Sequence, residues 1–527
     1  MIRNKIELKI VKIKRYIGKV LSKKQNVKPT KKYSLETLKL DPTTIPKYVN
    51  QLVKPPVYKP LVIEHHKKHR KCSARKQHLY FVDISEFKQQ ILPEGLPMTK
   101  VWGYGGLIKD PVSGKIKYSR SAPGATFEAI RGIPATVKWI NRLKGRHPFA
   151  VDPTLHWANP NNMPMDPPMP WPPFPPGFPE AQAPVPVVTH LHGGEVPSIF
   201  DGHPDAWFTY NHKHGPAYRT DLYTYPNKQQ PTTLWYHDHA LGITRLNVYA
   251  GLAGFYLLRD DDKCKRNCFC FEETLNLPSG KYEIPIVIQD RMFNQDGSLL
   301  FHNVGINPEI HPYWVPEFFG DTIMVNGKVW PNLNVDRRQY RFRLLNGSNA
   351  RFYNLTMSNE MSFIQIGTDG GYLPEPVVLT SLLLAPGERA DILVDFSTIT
   401  PGTSLRLLND ANAPFPDGDP IDPDTVGQIM QFSVPVNAPE PVKPAKLPCQ
   451  LNYIPKLKPD APTRILTLNE VMGENGPTVV LLNGQLWSAP ISEKPRVGST
   501  EDWWIVNLTM DTHPIHLHLV QFLLLNR

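Results

Sequence analysis

Histidines spaced two apart occur far from one another in this 527-residue chain: His190-Leu-His192, His237-Asp-His239, and His513-Pro-Ile-His516-Leu-His518. A β-strand turns alternate side chains to the same face, so an H-x-H pair presents two imidazoles side by side as a bidentate metal clamp. In the third run His516 and His518 share a face. His513, an odd number of positions earlier and followed by Pro514, is expected to point elsewhere, so one segment can serve two metal centres.

One such pair is weak evidence, because histidines in β-proteins are commonly solvated or bonded to backbone. Two of these pairs, however, sit in apolar frames, Val187-Val188-Thr189-His190-Leu191-His192 and Leu234-Trp235-Tyr236-His237-Asp238-His239. Several imidazoles buried without partners are costly, which argues for a shared ligand. An imidazole-rich, carboxylate-poor set suits copper, zinc, iron or nickel, with copper first in affinity. Zinc hydrolysis is the rival chemistry, but neither H-x-H-x-D-H nor a helical H-E-x-x-H occurs.

The stretches THLHGGEVPSIFDGHPDAWFT, LWYHDHALGITRLNVYAGLAGFYLL, VNGKVWPNLNV, YRFRLLNGSNARFYNL and THPIHLHLVQF resemble those of multicopper oxidases, in the branch of spore-coat laccases and bilirubin-oxidase-like enzymes. The likeness runs from about Tyr33 to Arg527. It implies type 2 copper ligands at His190 and His516, and type 3 ligands at His192, His237, His239 and His518. It further implies that His513 is the type 1 histidine through which a reducing substrate delivers its electron. Asp201 matches an acidic residue implicated in moving protons to reduced dioxygen; on the residues alone it is equally a turn-former before Gly202. The family enzyme passes electrons from the type 1 copper along a Cys-His path to a trinuclear type 2 and type 3 cluster, where dioxygen becomes water.

One departure stands out. The family's motif H-C-H-x-x-x-H-x-x-x-M is absent, and none of Cys72, Cys264, Cys268, Cys270 and Cys449 lies in an H-C-H setting. A blue-copper site needs two histidines and a thiolate. The type 1 site is therefore expected to be incomplete, and the chain to be a truncated or frame-shifted form of a longer protein, inactive as it stands.

Internal repeats organise the rest. Val137–Asn141, Tyr340–Asn346 and Trp503–Asn507 are each an aromatic and β-branched run ending in Asn, and Val325-Asn-Gly-Lys-Val-Trp330 echoes Leu482-Asn-Gly-Gln-Leu-Trp487. Recurrence of this kind indicates repeated domains. Short alternating runs between turn signals point to antiparallel sandwiches. The expected fold is all-β: three consecutive cupredoxin-like Greek-key β-sandwich domains, the third incomplete. The boundaries read as a basic extension 1–34, domain 1 at 35–262 with a Pro-rich insertion at 159–186, domain 2 at 268–436, a Pro-broken linker at 437–462 and a partial domain 3 at 463–527. Within the insertion Met163, Met165 and Met169 are either linker hydrophobes or thioether ligands for Cu(I). Cys264, Cys268 and Cys270 could form a disulfide, a metal clip or reduced loop thiols.

The net charge of +11 belongs wholly to residues 1–34, where twelve Lys or Arg face one acid, Glu7. The oxidase-like remainder is neutral, so no nucleic-acid partner is expected. Ile2, Ile6, Ile10, Ile13, Ile17 and Val20 line one side of that tail if it is helical, a pattern suited to an anionic membrane or coat surface. A solvated, unstructured extension is the alternative. The tail lacks the apolar stretch of a secretory signal, and no run of eighteen apolar residues offers a helical membrane span. Synthesis in the cytoplasm, with deposition on a spore coat, is the expectation. The function expected is a copper-dependent, laccase-like oxidoreductase that couples one-electron oxidation of phenols, tetrapyrroles or metal ions to reduction of dioxygen. The alternative is a non-catalytic copper-binding or structural coat protein.

Overall fold

The computed structural model describes residues 38–65, 75–110, 113–163, 180–260, 275–307 and 314–526. The basic tail, Met165, Met169, Cys72 and the cysteines at 264, 268 and 270 lie outside them. The regular structure of the described chain is nearly all strand, and the only α-helix among these residues is the six-residue Thr244–Tyr249.

The described strands form four sheets, the middle two interleaved in sequence. The first has eleven strands between Val57 and Arg259, with Thr189–His192 at one edge, then Thr232–Asp238, then Ala253–Arg259. A seven-stranded and a five-stranded sheet, drawn from Glu283 to Ser433, close over one core that includes Ile286, Phe342, Leu355 and Phe432. The fourth consists of Gly476–Leu482, Arg464–Gly473 and Trp503–Asn507. Crossovers between non-neighbouring strands give the open, Greek-key-like sheets of cupredoxin sandwiches. Residues 437–462 contain neither strand nor helix.

The sequence repeats have a physical cause. Each Asn-ended run forms a strand paired in parallel with an earlier strand of its own sheet: Ala135–Asn141 with Arg75–Gln89, Gln339–Asn346 with Glu283–Arg291, and Trp503–Asn507 with Arg464–Gly473. The terminal Asn then turns the corner. Its Oδ1 accepts from the backbone N–H two residues on, at 2.9, 3.0 and 3.1 Å for Asn141, Asn346 and Asn507. Its amide meanwhile donates to carbonyls further along: Val185 and Phe208, Arg351 and Leu384, and Asp511 respectively. This is the Asx turn that makes Asn a natural strand terminator. The two Asn-Gly pairs are hairpin turns with both residues at positive φ, 49° and 75° at Asn326-Gly327 and 53° and 68° at Asn483-Gly484.

Burial separates the third region from the others. Gln339–Asn346 is buried at every position, whereas Trp503–Asn507 is exposed at four of five. Ile465, Val480, Leu482, Trp487 and Trp504 are all more than half exposed.

One expectation about local structure fails. The third histidine run is not a strand: residues 512–517 have no regular structure and 518–520 form a bend. Pro514 has no N–H to give a ladder, and Leu519 sits at a φ of 71°. Met163, from the Pro-rich insertion, packs against the first core.

The shared Asx corner yields a comparison. Asn346→Ala orphans buried groups and is expected to lower stability by about 3 kcal/mol, whereas Asn507→Ala, with the same local bonds in solvent, should cost less than about 1 kcal/mol. Denaturant titration of the two variants measures the difference.

Candidate metal centre

Strand pairing builds the first half of the site. Thr189–His192 runs antiparallel to Thr232–Asp238, which sets His190 opposite His237, His192 opposite Trp235, and Thr189 opposite Asp238. Alternation sends His190, His192, Trp235 and His237 to one face and Leu191, Leu234 and Tyr236 into the apolar core. The His190 and His237 rings lie 5.6 Å apart, and Trp235 stacks on His237 at 4.1 Å. His239 follows the strand end, its ring 5.1 Å from that of His190.

The irregular segment near residue 516 supplies the rest. His516 stacks on His192 at 3.7 Å and His518 on His190 at 4.2 Å. Across the site His190 Nε2 comes within 3.3 Å of His516 Nε2, and His192 Nδ1 within 3.2 Å of His237 Nε2. Six of the seven histidines singled out in the sequence thus share one cluster, although His516 follows His190 by 326 positions and His239 by 277.

Hydrogen bonds on the outer side fix which nitrogens face inward. His190 Nδ1 donates to the Asp201 carbonyl at 2.5 Å, and His237 Nδ1 to the Asp238 carbonyl at 2.7 Å. His518 Nδ1 donates to Asp201 Oδ2 at 2.8 Å. In each ring the proton is held outside and the Nε2 lone pair points into the cluster, the arrangement that outer partners impose on metal-binding imidazoles. Burial holds His190, His192 and His237 below the usual imidazole range and pushes His239 down to about 3, so the rings are neutral. His239 Nδ1 is buried and unpartnered. Nitrogen atoms of His190, His192 and His237, and of His190, His516 and His518, form two overlapping groups with all members within 4.8 Å of one another. A neutral, all-nitrogen donor set of this kind fits copper.

Asp201 does more than turn the chain. Gly202 beside it has a φ of 79°, and a Cβ there would meet the Thr189 carbonyl at 2.3 Å, so the loop lies flat against the first clamp. Burial would raise the Asp201 carboxyl, but its bonds with His190 and His518 outweigh this and hold it well below the carboxylate range. One residue therefore orients two imidazoles brought from opposite parts of the chain.

His513 stands apart, as its odd spacing predicts. Its Nε2 lies 2.7 Å from Thr509 Oγ1, and it groups with Glu470 and Asp511. The described cysteine, Cys449, is exposed and free. Sequence reading missed Glu470 and Asp511, whose approach depends on tertiary packing. It also passed over Trp235, which the alternation rule would have placed beside His237.

Comparison with known proteins agrees with this geometry. Family models described as multicopper oxidase match residues 181–263, 307–403 and 456–527. A laccase of Bacillus subtilis is 40% identical over 490 residues, covering 92% of this chain and 84% of that protein. Multicopper oxidase LPR1 of Arabidopsis thaliana is 39% identical over 432 residues, covering 81% of this chain and 67% of that protein. The crystal structure of a laccase from Pediococcus acidilactici superposes with a TM-score of 0.61 at 25% identity, covering 88% of this chain and 77% of that one. The chain belongs to the multicopper oxidase family. It is a copper-dependent oxidoreductase of the laccase type, with dioxygen as acceptor.

A buried histidine outside the cluster gives the protein an acid limit. Burial pushes His147 down to about 4, while in the unfolded chain it titrates near 6.5. Above pH 6.5 both states are neutral and His147 has no effect; as pH falls toward 4 the unfolded chain gains a proton that the folded one refuses. The linked loss is about 3 kcal/mol for this residue. The melting temperature of metal-free protein should therefore fall between pH 6.5 and 4, and His147→Gln should flatten that fall.

Proposed function

We propose that His190 and His516 hold a type 2 copper, that His192 and His237 hold one type 3 copper and His239 and His518 the other, and that His513 belongs to the type 1 centre. The observation carrying this reading is the pairing of nitrogens: 3.3 Å between His190 and His516, and 3.2 Å between His192 and His237. The rings of His239 and His518 lie 5.1 Å apart. Copper held there would supply the capacity to gather single electrons and pass them to dioxygen. The protein's own work is to keep the buried imidazoles neutral and all six aimed and close before any metal arrives. Asp201, already bonded to two of them and ionised, is the group suited to hold or pass a proton at the cluster.

The reducing substrate we assign is a phenol, a tetrapyrrole or a metal ion, taken at the His513 side. The basic residues 1–34 suit attachment to an anionic membrane or coat surface. Among the described residues no helix is long and apolar enough to cross a membrane.

A second reading has its own support: His513 has Thr509, Glu470 and Asp511 beside it, and no described thiolate. On that reading the 527-residue chain binds copper without an electron entry port, as a copper-holding or structural coat protein.

Copper titration followed by metal analysis distinguishes these possibilities. Both readings expect about three copper ions, and the second expects no blue absorbance, because a thiolate ligand is what gives that colour. His190→Ala or His237→Ala should each lower the stoichiometry. Unchanged stoichiometry in both variants would refute the trinuclear assignment. A blue, oxygen-consuming product would refute the second reading.

A further inference from the structure

Asp238, the middle residue of His237-Asp-His239, points away from the clamp and is fully buried in the core, 0% exposed. Among the described residues no positive side chain is paired with it. What it has instead is three neutral N–H donors from three segments. Val188 N reaches Oδ2 at 3.0 Å, Ala240 N reaches Oδ1 at 3.0 Å, and Asn247 Nδ2 reaches Oδ1 at 2.8 Å. Val188 lies two residues before His190, and Ala240 directly follows His239. The Val188 carbonyl returns the contact by accepting from His239 N at 2.8 Å. Asn247 is anchored in turn: its amide donates to the Pro186 carbonyl at 3.2 Å, and its Oδ1 lies 3.0 Å from His147 Nε2. His147 Nδ1 accepts from Phe149 N at 3.1 Å, leaving the Nε2 proton for Asn247.

Burying a carboxylate with no cation beside it costs several kcal/mol, and the three N–H donors offset this only in part. The strand pair it sits in explains its presence. Only four residue pairs, Trp235 with His192 through Asp238 with Thr189, join the two clamps. A slip of one residue would turn every imidazole to the wrong face, and so short a ladder resists slippage weakly.

We propose that Asp238 is a positioning residue for the copper cluster: its carboxylate, braced by Asn247 and His147, locks the register of the two early histidine clamps. The inference rests on the trinuclear reading above and adds a determinant that touches no ligand nitrogen through its own side chain.

The test uses the whole chain, copper titration and Cu(II) electron paramagnetic resonance. Asp238→Asn presents an amide N–H to one of the backbone donors; it should weaken copper binding by about 10- to 100-fold, the range seen for outer partners of metal ligands, and alter the hyperfine pattern. Asn247→Ala, which keeps the carboxylate and both backbone donors, should give a smaller shift and serves if Asp238→Asn does not fold. The double variant Asp238→Asn with Asn247→Asp restores a carboxylate–amide pair and should recover part of the affinity. Asp290→Asn is the control: Asp290 is equally buried, 0% exposed, but bonds Arg351 and Gly320 in the second region. It should lower the melting temperature without moving copper affinity or spectrum. Parental affinity and spectrum in Asp238→Asn, or an equal copper loss in Asp290→Asn, would overturn the proposal. A parent chain that binds no copper would instead overturn the trinuclear reading.

Discussion

The antiparallel pairing of Thr189–His192 with Thr232–Asp238 is the contact on which the site depends. It places His190 against His237 and leaves their opposite sides to the core. Imidazoles crowded this closely and shielded from water cannot carry protons, since each charge would repel its neighbours in a poorly screened space. They stay neutral with lone pairs aimed at one another, a state that water cannot relieve and a metal cation can. The outer carbonyls and the Asp201 carboxylate complete the arrangement by taking the protons that would otherwise turn inward.

Much of this was legible in the residues. Alternation alone gave the shared direction of His190, His192 and His237, and the Asn-ended repeats located strands that occupy equivalent places in three sheets. The family pattern marked Asp201 without saying what it touches; its bonds to His190 and His518 depend on a flat loop at Gly202. The last histidine run was read as a strand because His516 and His518 share parity, yet Pro514 breaks the ladder and the rings arrive by stacking. Asp238 was visible as a charged letter in an apolar word. Its three donors come from Val188, Ala240 and Asn247, and a separation of 50 residues to the first of these hides the relation from any local rule.

The two candidate metal groups differ in construction. The six-histidine cluster is nitrogen-only on its inner face, ringed by apolar strands and by Trp235. The group at His513 is mixed, with carboxylates at Glu470 and Asp511, and lies in the region where large apolar side chains face solvent. The first is backed by the buried core of the first sheet; the second lies beside the exposed three-stranded sheet.

The 326 positions between His190 and His516 also set a clock. At roughly 5–20 residues per second, a ribosome needs about 20 to 60 s to reach the second partner after making the first. During that interval the early imidazoles exist without the rings that later stack on them, open to whatever ion the cell offers. Complete loading is therefore an event that follows translation, once His516 and His518 have joined the early pairs.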